Sequence, residues 1–441
     1  MRSGTSVNAR LARATTWAII GNGVQQVFAM LAAIGTARLL GDVGFGQFGA
    51  VRSTTFVFGI LAGSGLGLTS TRYVASLRTS DPQRAGRVIS VLLGLSWMTT
   101  ITAAVLCMVF AGPIATYVMK DPRLALPLIV SATALVFTSV GGVQGGVLAG
   151  CEDFRSLAVI LAADGLCTGI LTVMGAWLGG VTFAVAGYVL GSVLVYFLRV
   201  RQVNAVCRRA NIPRVPFREA QFRAELPILR SFVLPAMLLS IGTQPAEWIA
   251  RMLLVQRPDG MAQLGIFTAA HLWANVVQFL PNQIGGTSLP ILSNVLSTGD
   301  KRTFRRTLIL AAGAVFGVAA CIAIPLALLS RWIMKLYGPS FEAGAEVLVV
   351  IVLAYTLGAV TNILRLSSLS AGHAWLQFGL ALAWGITLPV AFLFIRQHGG
   401  LGLAMSYGIA FVLLTILQLG ATWYLLEHPK GKGAETEIVE S

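Results

Sequence analysis

Charge is scarce in this chain. Only 11% of its 441 residues are Asp, Glu, Lys or Arg, against about 25% in an ordinary soluble domain. With 56% hydrophobic residues and a mean hydropathy of +0.78, the apolar surface exceeds what a soluble chain of this length hides in its core. Carboxylates are scarcer still, 17 against 32 Lys and Arg, for a net charge of +15. That excess does not describe a nucleic-acid binder, which clusters its basic residues on a solvated face; here most stand between long apolar runs. Cysteine is limited to five residues without paired spacing. Cys107, Cys167 and Cys321 lie in apolar runs and read as small core residues, so no disulfide framework or metal site is implied. There are four histidines, no HExxH, no GxSxG and no Walker lysine loop. These absences argue against an enzyme and against a nucleotide cofactor. Any energy source is then an ion gradient, the membrane potential or the substrate's own gradient.

Long apolar runs are what the chain has in quantity. A helix needs about 20 apolar residues to cross the hydrocarbon layer. Twelve runs qualify, at 14–36, 45–70, 88–111, 124–149, 156–178, 181–198, 231–252, 263–285, 307–329, 343–365, 373–395 and 401–425. The first is too long for a cleaved leader and lacks a small-residue cleavage site. Twelve spans put both termini on one side, and 23 of the 32 basic residues then fall in segments on that side. The positive-inside rule makes it cytoplasmic. Residues 199–230, with Pro213, Pro216 and eight Arg, form the one sizeable hydrophilic segment. This linker is expected to lie along the cytoplasmic headgroups, partly as an amphipathic helix. It divides the chain into six-span lobes at 1–198 and 231–428, followed by a polar, disordered tail at 429–441.

The second lobe repeats the first. At an offset of 219 residues, Gly23 meets Gly242, Gln25 meets Gln244, Gly46 meets Gly265, Phe48 meets Phe267, Ala50 meets Ala269 and Arg52 meets His271. With a drifting offset, Val118-Met119-Lys120 echoes Ile333-Met334-Lys335, and Ala149-Gly150 echoes Ala371-Gly372. Duplicated lobes suit a protein that opens alternately to the two sides of a membrane. They also suit a merely structural bundle, so the polar residues must decide.

Ionisable side chains inside spans are costly and usually face a bundle interior or an aqueous cavity. Span eight carries His271, Asn275, Gln278 and Asn282, which helical geometry puts on one face. Such a stripe suits a cavity for sugar hydroxyls; amides also glue helices together. Arg52 sits about 10 Å inside span two, on a face continued by Thr55, Gly59 and Gly63. It is either a functional cation or a snorkelling one. Glu247 and Arg251 in span seven are at i and i+4, as a gate, a proton carrier or a structural ion pair. Asp164, deep in span five, is a candidate for coupling to H+ or Na+, or a structural hydrogen-bonding group. Gln25, Gln244, Asn22 and Gln144 are softer cavity candidates. Arg38, Arg72 and Arg365 stand near span ends, where snorkelling is the simpler account.

The segment Ala37-Arg-Leu-Leu-Gly-Asp-Val-Gly-Phe-Gly-Gln-Phe-Gly49 resembles the signature of the polysaccharide-biosynthesis (Wzx-like) flippases. These belong to the multidrug/oligosaccharidyl-lipid/polysaccharide (MOP) exporter superfamily. Arg72-Tyr73 and Leu148-Ala-Gly150 are similar to the same family. The resemblance implies an all-α, V-shaped pair of six-helix bundles with pseudo-two-fold symmetry around a central cavity. Its implied cargo is an undecaprenyl-pyrophosphate-linked oligosaccharide, moved to the outer leaflet of a bacterial plasma membrane for assembly by glycan polymerases. Arg52 or Arg38 would then meet the pyrophosphate, and the polyprenyl tail would trail in membrane lipid. A multidrug-type ion-coupled antiporter is the alternative. A lipid II flippase usually has two more helices, and a membrane glycan polymerase or ligase needs a large outer loop, which this sequence lacks.

Overall fold

A computed structural model of the protein describes residues 7–63, 65–216, 234–297, 301–370 and 374–427. All regular structure among them is helical. In hydrocarbon no water satisfies a backbone N–H or C=O, and a helix bonds each within its own segment. The helices are α1 (Val7–Gly63), α2 (Leu66–Leu77), α3 (Pro82–Pro113), α4 (Ala125–Gly150), α5 (Phe154–Arg209) and α6 (Leu234–Val255). They continue as α7 (Gly260–Ser297), α8 (Lys301–Leu328), α9 (Ser330–Tyr337), α10 (Ala345–Ser370), α11 (Ala374–Ile395) and α12 (Gly399–Glu427). Among the described residues, seven helical stretches are long and apolar enough to cross a membrane. The chain is a multi-pass membrane protein. Several of its scarce acids cap helices, as they do at Asp81 before α3 and Asp153 before α5, each accepting from a first-turn amide.

Some helices are far longer than one crossing. A straight helix of 56 residues, the length of α5, would reach roughly 84 Å, almost three times the hydrocarbon thickness. α5 instead breaks at Gly179 and at Gly180, whose φ of 76° suits glycine. Its legs return along each other. A Cβ on Gly187 would lie 1.9 Å from the Leu171 carbonyl oxygen, and one on Gly191 would lie 2.6 Å from the Thr168 Cα. Those contacts fix an antiparallel hairpin with 171 opposite 187. The second leg stays helical to Arg209, so the first part of the expected linker extends a helix. The rest of that linker beyond 216, residue 428 of the expected second lobe and the tail at 429–441 lie outside the described residues. α1 breaks in the same manner at Gly41 into arms 7–40 and 42–63.

The chain forms two compact units, Met1–Ala269 with Lys335–Glu342, and Ala270–Met334 with Ala343–Ser441. In the first unit α1 packs along α5, and α4 packs on α2, α3 and α5. Residues 335–342 join it through Tyr337 and Phe341, whose buried rings stand 6.4 and 6.1 Å from that of Phe45. Arg38 Nε adds a hydrogen bond of 2.6 Å to the Leu336 carbonyl. On another loop of this unit, Gln256 donates to the Val118 carbonyl at 2.6 Å. Where α1 crosses the start of α7, two glycines approach reciprocally. A Cβ on Gly46 would lie 1.8 Å from the Met261 oxygen, and one on Gly265 would lie 2.1 Å from the Asp42 oxygen. In the second unit α10 packs on α8 and α12, and α11 packs on α12. Buried Gln377 and Gln418 exchange amide hydrogen bonds there at 2.7 and 3.2 Å.

Candidate functional site

The first unit holds a cavity of about 430 Å³ bounded by α1, α4 and both legs of α5. One wall is the face expected from periodicity: Arg52, Thr55, Gly59 and Gly63 all line it. Gly59 lets the Leu135 side chain of α4 approach to where a Cβ would lie 2.9 Å from it, and Thr55 hydrogen-bonds Ser131 of α4 at 2.9 Å. Arg52 stands exposed at the cavity with its guanidinium 4.3 Å above the Tyr188 ring and 5.7 Å from that of Phe48. A cation held over aromatic faces is steadied without being neutralised. It stays available to an anion.

Across the cavity lies a second cation. Arg199 Nη2 meets Asp164 Oδ1 at 3.2 Å, with the two side chains 13% and 23% exposed. Gln25 Nε2, from the first arm of α1, donates to the other carboxylate oxygen at 2.9 Å. The Arg199 guanidinium rests on bare backbone: a Cβ at Gly141 of α4 would fall 2.2 Å from its Nη1. Three of the residues singled out by their position within apolar runs, Arg52, Gln25 and Asp164, therefore belong to one site or its immediate support.

The other candidates lie elsewhere. In α6, Arg251 and Glu247 pair at 3.2 Å, each 18% exposed, and Gln244 is half-buried two turns earlier than Arg251. Arg38 is engaged with the Leu336 carbonyl. Asn22 bonds the Ala18 carbonyl of its own helix at 2.8 Å, and Gln144 is buried on α4. In the second unit the α7 stripe faces α10. His271 Nε2 lies 2.7 Å from the Tyr355 hydroxyl, and Gln278 donates to the Tyr355 carbonyl at 3.0 Å. Asn282 accepts from Asn362 at 3.2 Å, and Asn362 in turn accepts from Arg365 at 2.6 Å. Asn275 is exposed. Beside His271 stands an aromatic cluster of Tyr355, Tyr407, Trp384 and Phe411, with ring separations of 5.3 to 6.0 Å.

The pattern of the family described as "Polysaccharide biosynthesis protein" matches residues 11–296, more than half of the chain. The chain belongs to that family. It is also similar to the EPS I polysaccharide export inner membrane protein EpsE of Ralstonia nicotianae, with 25% identity over 320 residues, 66% of this chain and 71% of that one. Among solved structures, it resembles the inward-facing conformation of a MATE family multidrug transporter of the MOP superfamily. The TM-score is 0.74 at 14% identity, over 93% of this chain and 96% of that one. The lipid II flippase MurJ, inward closed, gives a TM-score of 0.74 at 13% identity, over 92% and 87%. At such identities these structures establish the fold.

Within this polysaccharide-biosynthesis member, two site residues escape a reading by residue type. Arg199 looks like the first of the linker arginines, because the apolar run stops before it. The usable signal is the Gly179-Gly180 turn: folding the chain there brings 195 opposite 164, and an arginine one turn on can reach back to the acid. Tyr188 carries no such signal, since one aromatic among many apolar residues reads as core or lipid contact.

Proposed function

We propose that this protein is a flippase. It carries undecaprenyl-pyrophosphate-linked oligosaccharide repeat units from the cytoplasmic to the outer leaflet of a bacterial inner membrane, for O-antigen, capsule or exopolysaccharide assembly. It is a transporter and not an enzyme. The observation that carries the reading is Arg52, held over Tyr188 with no carboxylate partner among the described residues, at a cavity that it shares with Arg199. Arginine binds phosphate oxygens through a planar fork. The hydroxyl-bearing residues Thr55, Ser131, Thr138 and Ser139 line the same space, a polar lining that suits a polar headgroup.

The proposal extends to the architecture. Twelve spans form two six-helix lobes, the first carried by α5 to Arg209 rather than ending at 198 and the second at 231–428; a basic cytoplasmic linker from there to 230 joins them, and both termini are cytoplasmic. The lobes rock to give alternating access. Gln244, Glu247, Arg251 and Arg38 serve gating and cavity roles in this scheme. His271, Asn275, Gln278 and Asn282 offer hydrogen-bonding partners for sugar, next to aromatic rings. H+ or Na+ is the coupling ion, and a glycan polymerase takes over the product.

An antiporter of cationic drugs fits less well. Such a substrate needs an unengaged carboxylate, and Asp164 is held by Arg199 and Gln25. Arg52→Ala tests the reading. Surface-glycan export is expected to be abolished with the protein's membrane abundance unchanged; retained export removes Arg52 from the mechanism.

A further inference from the structure

We infer that Asp164 and Arg199 form an exchange pair. An anionic diphosphate entering the cavity draws Arg199 away from Asp164, and the vacated carboxylate takes up one proton. The inference rests on the flippase reading and adds its regulation.

The charge inventory carries the argument. Among the described residues, three charged side chains line the cavity: Arg52, Arg199 and Asp164. Empty, the site is positive by one charge. A diphosphate diester carries one negative charge on each phosphate, so loading without a proton leaves the site negative by one. Loading with a proton on Asp164 leaves it neutral, two guanidiniums against two phosphates. In a partly buried site the neutral arrangement avoids the cost of an uncompensated charge.

Geometry assigns the proton to one atom. Arg199 contacts Asp164 Oδ1 and Gln25 contacts Oδ2. When Arg199 turns to the anion, Gln25 still holds Oδ2, and Oδ1 is exposed to the cavity. Loss of a cation and arrival of an anion both favour the protonated carboxylic acid there. No covalent bond changes; the proton comes from solvent and returns to it when the anion leaves. From the elements around Asp164, the second leg of α5 presents Arg199 and Tyr188, and the second arm of α1 presents Arg52. The first arm of α1 presents Gln25, and α4 presents Ser131, Thr138 and Ser139. None of these except the two arginines is charged near neutral pH.

The consequence is a linkage: each bound anion brings one extra proton, so anion affinity rises as pH falls, by up to about tenfold per pH unit. The test uses the purified full chain in detergent and P1,P2-dibutyl diphosphate, a diester with no group that titrates near neutral pH. Calorimetric titrations in buffers of different protonation enthalpy measure proton uptake directly. Wild type is expected to take up close to one proton per bound diester. Asp164→Asn is expected to bind it with no proton uptake and with pH-independent affinity. Arg199→Gln is expected to weaken binding and abolish uptake. Diester binding by wild type without proton uptake overturns the exchange pair and leaves the flippase reading standing. Absence of diester binding by wild type overturns both.

Discussion

Gly141→Ala isolates the exchange pair without altering a single charge. The new methyl would fall 2.2 Å from Arg199 Nη1, and ordinary contact requires about 3.4 Å, so the guanidinium retreats by about 1.2 Å. Taken wholly along the ion pair, that retreat lengthens the contact with Asp164 from 3.2 Å to at most about 4.4 Å. With an effective dielectric constant of about 20, the attraction falls from roughly 5.2 to roughly 3.8 kcal/mol, a loss of about 1.4 kcal/mol. An anion that must pull Arg199 from Asp164 no longer works against that part of the attraction. Diphosphate-diester affinity is therefore expected to rise by up to about tenfold, measured by calorimetry on the purified variant. An unchanged or weakened affinity in a variant that elutes as a folded monodisperse species refutes the reasoning.

Other expectations follow from the same geometry. Cys151, in the turn between α4 and α5, has its thiol pushed up to about 11, chiefly by burial and further by nearby Cys207 and Asp153, with Arg78 opposing. Its thiolate fraction at pH 7.5 is then roughly 100-fold below that of an unperturbed thiol. Labelling by a permeant maleimide should be slow in the folded protein and fast after denaturation; equal rates contradict the burial. A reporter fused after Lys430 is expected to be active only as a cytoplasmic fusion, and periplasmic activity would overturn the proposed topology.

The parts of the site that are legible in the sequence are local ones. Arg52, Thr55, Gly59 and Gly63 share a face because helical spacing dictates it, and the cavity wall is that face. Gly41 and Gly179-Gly180 fall between apolar runs, and the backbone leaves helical geometry at these positions. What stays hidden depends on tertiary approach. The α7 stripe has the expected spacing, but its partners, Tyr355 and Asn362, lie about 80 residues away on another helix. Arg199 is masked by its neighbours: a run of arginines after an apolar segment suggests solvent, yet α5 continues as helix beyond the run's start. Charge pattern describes the segment as a whole, whereas the ion pair belongs to one residue in it.

The crossing of α1 and α7 has a property familiar from homodimers. Gly46 meets the backbone of Met261, and Gly265 meets that of Asp42; each residue in one contact stands 219 positions from its counterpart in the other. This is an isologous patch, of the kind a two-fold dimer axis generates, enclosed within one polypeptide. Its two halves share a single gap. An alanine at either position must push the helices apart, and the space so opened receives the second methyl at little additional cost. Gly46→Ala and Gly265→Ala should therefore be strongly sub-additive in a double-mutant cycle. Positions that look like two independent glycines in the sequence are one steric constraint, and they can change only together.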